Sequence, residues 1–501
     1  MDIFADIAHG FSVALSLNNI LFCLIGAVLG TVIGILPGLG PVATISLLLP
    51  VTFGLDPTTA IIMLAGIYYG AQYGGSTTAI LVNIPGEATS VVTAIDGYKM
   101  AQQGRGGDAL AVAAIGSFVA GCFGTAIIAL AGPPLAAFAQ TFQSPEYFSL
   151  MVLGLISAIV LSNESAVRAI MMILLGLVLG CIGIDVNSGI SRMTYDTPEL
   201  YDGISFVAMA LGLFGFAEVI CNLESGIKRG LNAKEIGSVW PSWALLKSVR
   251  GAITRGTLLG SCFGLLPGGG AVVAAFSSYA LEKRIAKDSS RFGNGAPEGV
   301  AGPESANNAA AQTSFVPLLT LGIPTTATMA LMVGVLILHG ITPGPTVITR
   351  QPDLFWGLVA SMFVGNLMLL FINLPMIGIW IRLLLVPYRL LFLVILVISA
   401  IGIYSVNNSP FDIYLALGFG VLGYIFRKLN AEPAPLLMGF VLGPMMEENF
   451  RRSLLLSRGD PLVFLQRPLS LLLLLLAGAF LISLVIPIIR SGRKELFVED
   501  A

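Results

Sequence analysis

Two short stretches of the chain combine proline with glycine in a way that frees backbone groups for a ligand. Leu36-Pro37-Gly38-Leu39-Gly40-Pro41 interrupts one apolar run, and Leu266-Pro267-Gly268-Gly269-Gly270-Ala271 interrupts another. Proline removes a backbone donor and glycine adds conformational freedom, so each stretch breaks a helix. The amides that open the following helix, near Val42 and Val272, lack intrahelical partners and sit beside about half a positive charge. Such an end attracts carboxylates without Arg or Lys. No basic residue occurs in either motif or between Asp2 and Tyr98. An anion bound here is therefore expected to rest on amides and hydroxyls, and to leave without undoing an Arg–carboxylate pair. Read as structure alone, the same stretches are tight turns between helices.

A second pair of stretches offers oxygens. Tyr73-Gly74-Gly75-Ser76-Thr77-Thr78 runs into Asn83-Ile84-Pro85-Gly86, and Pro303-Glu304-Ser305-Ala306-Asn307-Asn308 is followed by Gly322-Ile323-Pro324-Thr325-Thr326. Small residues allow close helix packing, but hydroxyls and freed carbonyls at a helix break are also sodium ligands. An adjacent Asn pair beside an acid in an Ala-rich stretch is costly unless it is used. The substrate-binding candidates in the first half of the chain are Pro37, Gly38, Gly40, Ser76, Thr77, Pro85 and Gly86. Those in the second half are Gly268, Gly269, Gly270, Pro324, Thr325 and Thr326. Asn83, Glu304, Asn307, Asn308 and Thr328 are the cation-binding candidates. Scarcity of acids near the breaks favours sodium over protons as the coupling ion. Catalytic chemistry has no constellation here: His9 and His339 lie far from the breaks, and the five cysteines make no metal-ligand spacing. No cofactor or metal beyond sodium is expected.

These residues need elements that place them at depth in an apolar medium. The chain has 501 residues, 56% hydrophobic and only 11% charged, with a mean hydropathy of +0.89. Soluble proteins carry about 25% charged residues, so a soluble enzyme, a nucleic-acid binder and a disordered chain are excluded. The expected fold class is all-α: a polytopic membrane protein of roughly ten to twelve spans, at ~20 apolar residues each, with broken or re-entrant hairpins. Interrupted backbone survives in a bilayer only inside protein or beside a watery cavity. The first residues lack the basic region of a cleaved signal peptide, so the first helix is expected to direct insertion.

The breaks belong to an internal repeat. Leu36-Pro37-Gly38 recurs as Leu266-Pro267-Gly268 at an offset of 230, and Ile84-Pro85 as Ile323-Pro324 at 239. Ile156-Ser157-Ala158-Ile159 recurs at 242, Asn163-Glu164-Ser165 answers Asn407-Asn408-Ser409 at 244, and Glu218 answers Glu448 at 230. Lys228, Arg229, Lys234, Lys247, Arg250 and Arg255 place the middle of the chain in the cytoplasm, while residues 1–98 contain no Lys or Arg. The first half then crosses an odd number of times, as inverted repeats do. The expected division is 1–225 and 251–455 for the two repeats, a basic linker at 226–250, and an appended helix with a cytoplasmic tail at 456–501.

In these motifs the chain resembles the large membrane subunit of the tripartite tricarboxylate transporters over nearly its whole length. The resemblance rests on Gly34-Ile35-Leu36-Pro37-Gly38-Leu39-Gly40-Pro41, Tyr69-Gly70-Ala71-Gln72-Tyr73-Gly74-Gly75-Ser76 and Asn83-Ile84-Pro85-Gly86. Asp96-Gly97-Tyr98-Lys99-Met100-Ala101, Leu266-Pro267-Gly268-Gly269 and Pro303-Glu304-Ser305-Ala306-Asn307-Asn308-Ala309 add to it. One departure is Thr325-Thr326, where the family pattern has Gly-Ser after Ile-Pro. The resemblance implies a secondary active transporter importing a tri- or dicarboxylate across the bacterial inner membrane. It implies two partners, a periplasmic solute-binding protein and a small membrane subunit, and coupling to a sodium or proton gradient. No Gly-x-x-x-x-Gly-Lys-Ser/Thr loop for ATP is present. A channel would need a continuous polar lining. A stand-alone organic-anion carrier fits the repeats equally and lacks only the resemblance.

Overall fold

The computed structural model describes residues 3–36, 40–83, 85–161, 165–185, 188–225, 238–266, 270–383 and 388–496. Pro37, Gly38, Gly268, Gly269, the Asn163-Glu164 repeat match and most of the basic linker lie outside these residues. The described chain is helical almost throughout; its one sheet pairs Gly183–Ile184 with Ser191–Arg192. The all-α membrane fold is therefore present. Among the described residues, four helices are long and apolar enough to cross a bilayer uninterrupted: Leu17–Ile35, Gly106–Ala139, Phe206–Glu224 and Pro352–Asn373. Other apolar helices are long, such as Pro57–Val82 (26 residues), Tyr388–Asn407 (20 residues) and Pro468–Leu496 (29 residues), and others short, such as Ile3–Ala14 and Pro41–Thr52 (12 residues each). Proline and glycine cut the apolar chain at the two Pro-Gly stretches.

The cuts are made by local chemistry. The Leu17–Ile35 helix ends where Leu36 turns extended (φ −83°, ψ 107°), and the next begins with Pro41 after an extended Gly40. Proline suits that first position, since its missing N–H is one of the unpaired four. The Trp243–Leu265 helix, capped by the Ser242 hydroxyl, ends in the same way at Leu266 (φ −89°, ψ 128°), and a helix resumes over Gly270–Ile285. The long Pro57–Val82 helix starts on the Asp56 carboxylate, which accepts from the Thr58 amide at 3.0 Å. It stops because Asn83 adopts the left-handed conformation (φ 56°), which Asn tolerates better than most residues. Glycine does the same at Gly322 (φ 73°), which closes Phe315–Leu321.

Two glycine seams hold these helices together. Cβ atoms on Gly26, Gly30 and Gly34 would fall on the carbonyl oxygens of Met63, Ile67 and Ala71 in the Pro57–Val82 helix. Cβ atoms on Gly256, Gly260 and Gly264 would fall on those of Gly302, Ala306 and Ala310 in the Glu298–Thr313 helix. Small residues every fourth position let two backbones touch. The second set of glycines is numbered 230 higher than the first, and its carbonyl partners 239 higher. These are the offsets of the Leu-Pro-Gly and Ile-Pro matches in the sequence.

The two halves of the chain interlock. The Ile3–Ala14 helix packs on Pro352–Asn373, and Ala166–Gly180 packs on Ala434–Leu456. The Pro468–Leu496 helix packs on Ser144–Leu161. At that last contact Ser149 bonds Ser470 at 2.7 Å and the buried Glu146 pairs with Arg467. Asp96 is a further tie: its Oδ1 accepts from the amides of Gly293, Gly295 and Ala296 at 2.8–2.9 Å, and its Oδ2 from the Tyr279 hydroxyl at 3.0 Å.

Candidate functional site

A chamber of about 850 Å³ opens where the broken helices meet. Gly40–Ala43 line it from one break and Gly270–Val273 from the other, so the two Pro-Gly stretches share one cavity. Pro85–Thr89 and Thr325–Thr328 complete much of the wall. Five helices begin on this wall, at Pro41, Ser90, Gly270, Ala327 and Ala434, since the first residues of each, or the cap before them, face the chamber. Each start carries unpaired amides and partial positive charge. At Ala327 the Thr326 hydroxyl caps the first turn by accepting from the Met329 amide at 3.3 Å. The departure from the family pattern at Thr325-Thr326 thus places two hydroxyls on the chamber wall, and the Thr325 hydroxyl is buried without a partner.

Of the substrate-binding candidates, Gly40, Pro85, Gly86, Gly270, Thr325 and Thr326 line this chamber. Pro324 is buried just behind the wall. Ser76 and Thr77 are not on it. They line a second, far smaller space of about 10 Å³ with Tyr73, Ser117, Glu304 and Asn373, room for one water-sized particle at most.

The cation-binding candidates divide between the two spaces. Glu304 sits on the small one and is 1% exposed. Its carboxylate accepts from Thr93 and from Ser117 (3.5 Å), and Asn308 donates to the Ser117 hydroxyl at 2.7 Å and to the Glu304 carbonyl at 3.1 Å. Around it the Tyr73 hydroxyl and the side-chain carbonyls of Asn308 and Asn373 are buried and unpaired. Asn307 points the other way. It lies against Glu87 at a geometry that makes no proper hydrogen bond, and both its amide atoms are unpaired. Thr328 lines the large chamber. Asn83 is exposed and serves as the left-handed helix cap; neither space includes it.

The large chamber also holds residues that motif reasoning missed. Tyr68 and Gln72 reach it from the long Pro57–Val82 helix, and the Thr89 hydroxyl lies 2.6 Å from Glu87 and 3.1 Å from Gln72. Phe214 and Glu218 reach it through a π-helical stretch, Leu211–Phe216, a widening often found at functional sites. Arg427 stands on the wall at the last turn of Pro410–Lys428 and is paired with Glu218. Arg427 was not among the site residues singled out in the sequence: more than 380 residues separate it from the first break, and only tertiary packing brings them together. Its signal was an arginine ending an otherwise apolar helix.

An apolar all-α chain with this many helices, interrupted where they converge on one chamber, is a multi-pass membrane protein. The model of the tripartite tricarboxylate transporter TctA family matches residues 20–438, and the chain belongs to that family. It is accordingly one component of a tripartite transporter and works with partner subunits. It is 53% identical over 500 residues, covering all of both chains, to an uncharacterized 52.8 kDa protein from the TAR-I ttuC' 3' region of Agrobacterium vitis. A protein of the TAR-II ttuC' 3' region of that organism is 57% identical over 241 residues, all of its length and 48% of this chain. No solved structure matches.

Proposed function

We propose that this chain is the translocating subunit of a secondary active importer for tri- or dicarboxylates in the bacterial inner membrane. A periplasmic solute-binding protein delivers the substrate, a small membrane subunit assists, and a sodium gradient drives uptake. The observation that carries the reading is the shared chamber, where five helix starts present partial positive charge to one space. The coupling ion is assigned to the small space at Glu304. If ionised, a buried carboxylate needs a counter-charge, and among the described residues lining that space there is no Lys, Arg or His. Neutral oxygens from Tyr73, Ser76, Thr77, Ser117 and Asn308 surround it, the donor set of an alkali cation. The two halves, 1–225 and 251–455, are read as inverted repeats joined by the 226–250 linker, with 456–501 appended; the matching offsets of the glycine seams support a duplication.

Proteoliposomes holding both membrane subunits, an imposed sodium gradient and added binding protein should accumulate labelled citrate or succinate without ATP. Accumulation with no gradient refutes the coupling, and equal accumulation without the binding protein favours a stand-alone carrier.

A further inference from the structure

Among the described residues lining the large chamber, Arg427 is the sole cation, while Glu87, Glu218 and Glu432 also face it. Carboxyl side chains outnumber the one guanidinium on this wall, and each that is ionised opposes a carboxylate that carries two or three charges of its own. We infer that Arg427 is the substrate-carboxylate anchor and that Glu218 is its resident counter-ion, displaced by the arriving substrate. In the empty chamber the guanidinium is held by Glu218. On binding, one substrate carboxylate takes the place of Glu218 on Arg427, and on release Glu218 returns. No covalent bond changes, and Arg427 is paired in both states; the displaced Glu218 keeps the Asn222 side-chain amide, which donates to its Oε1 at 3.3 Å.

The local packing permits this exchange. The Ala217–Ser225 helix and the Pro410–Lys428 helix are joined by two ion pairs, Arg427 with Glu218 and Lys428 with Glu224 at 2.7 Å. Tyr424 also donates to Glu224 at 3.1 Å. Arg427 and Glu218 face the chamber, whereas Lys428 and Glu224 are absent from its wall. Pro410–Lys428 also packs along Leu211–Phe216 and Ala217–Ser225, so the helices stay together while the inner pair opens. The Arg427 side chain is 32% exposed against 14% for Glu218, so the arginine has room to turn toward a ligand. Gly423, one turn before Arg427, faces the Leu213 carbonyl and the Ala217 side chain closely enough that a Cβ would collide with them. Backbone contact there fixes where the Arg427 stem departs.

This inference rests on the carboxylate-import reading, and equilibrium binding to the purified two-subunit membrane complex separates the two. Labelled citrate and succinate are the probes, with uptake in proteoliposomes measured alongside. Wild-type complex that binds neither acid defeats the import reading and this inference with it. Given wild-type binding, Glu218→Gln should tighten it by about threefold or more, because the competing carboxylate is gone, and should lower maximal uptake. Arg427→Gln should weaken binding by about tenfold or more. The double variant Glu218→Gln/Arg427→Gln removes both charges and so leaves none unpaired. It should purify as a monodisperse complex yet bind as weakly as Arg427→Gln. Restoration of binding in the double variant would mean that the pair is purely structural and would overturn the inference. Weaker binding by Glu218→Gln, or wild-type binding by Arg427→Gln, would overturn it equally.

Discussion

Replacing Glu304 by glutamine keeps the shape of the small chamber and removes its charge. Sodium-driven uptake should then be lost, while exchange of substrate across the membrane, which needs no net ion movement, should persist. Asn308→Ala removes an unpaired buried carbonyl beside that charge. It should raise the sodium concentration for half-maximal uptake several-fold, since one unmade buried polar contact is worth about 1–2 kcal/mol. Asn83→Gly, in contrast, should leave that concentration unchanged, because Asn83 supplies a left-handed cap (φ 56°) that glycine supplies as well. Sodium titrations of the three variants check this, and uptake driven equally by a pH gradient in sodium-free buffer would defeat the sodium assignment. Asn83 also shows where reading residue types reaches its limit. A polar residue beside a helix break fits a ligand and a cap equally; the dihedral angle decides, and it is not written in the residue type. The burial of Glu304 was legible because an acid in an Ala-rich, apolar helix can hardly face lipid. Arg427 was not, because charge at a helix end is common and its neighbour Glu218 lies some 200 positions earlier in the chain.

At the scale of elements, the helix breaks were readable from proline and glycine, which act through local sterics. The pairing of helices was half readable: glycines four apart mark a seam, but only the fold shows which backbone they meet. The seams carry their own prediction. A Cβ on Gly260 would collide with the Ala306 backbone, and backbone cannot swing aside. Gly260→Ala should cost about 1–3 kcal/mol by overpacking and lower the thermal midpoint of the purified complex. Gly418, in the Pro410–Lys428 helix, has nothing within 4 Å of such a Cβ. Gly418→Ala should be neutral or stabilising, because alanine is the better helix former. Equal midpoints for the two variants would show that the Gly260 seam tolerates separation.

For the molecule as a whole, apolar composition with little charge was enough to read a membrane fold, since no soluble surface can be built from 11% charged residues. Composition alone does not say where the apolar chain is cut; the prolines and glycines mark that. An inverted duplication requires Met1 and Ser238 to face opposite sides. Single cysteines at these positions, labelled from each side of inverted and right-side-out vesicles, should react oppositely; labelling from the same side would exclude the inverted arrangement.

The interlocking of the two halves has a consequence for how the chain enters the bilayer. Ile3–Ala14 is 12 residues long, about 18 Å at the helical rise, too short to cross the ~30 Å hydrocarbon layer unaided. Its partner, Pro352–Asn373, is synthesised some 340 residues later, and Glu146 waits 321 residues for Arg467. A nascent chain halted before that arginine would carry an uncompensated buried acid, the mark of an unfinished membrane protein. The Arg467 turn therefore closes a structure begun 321 residues earlier, by a charge pairing that chains cut short of it cannot make.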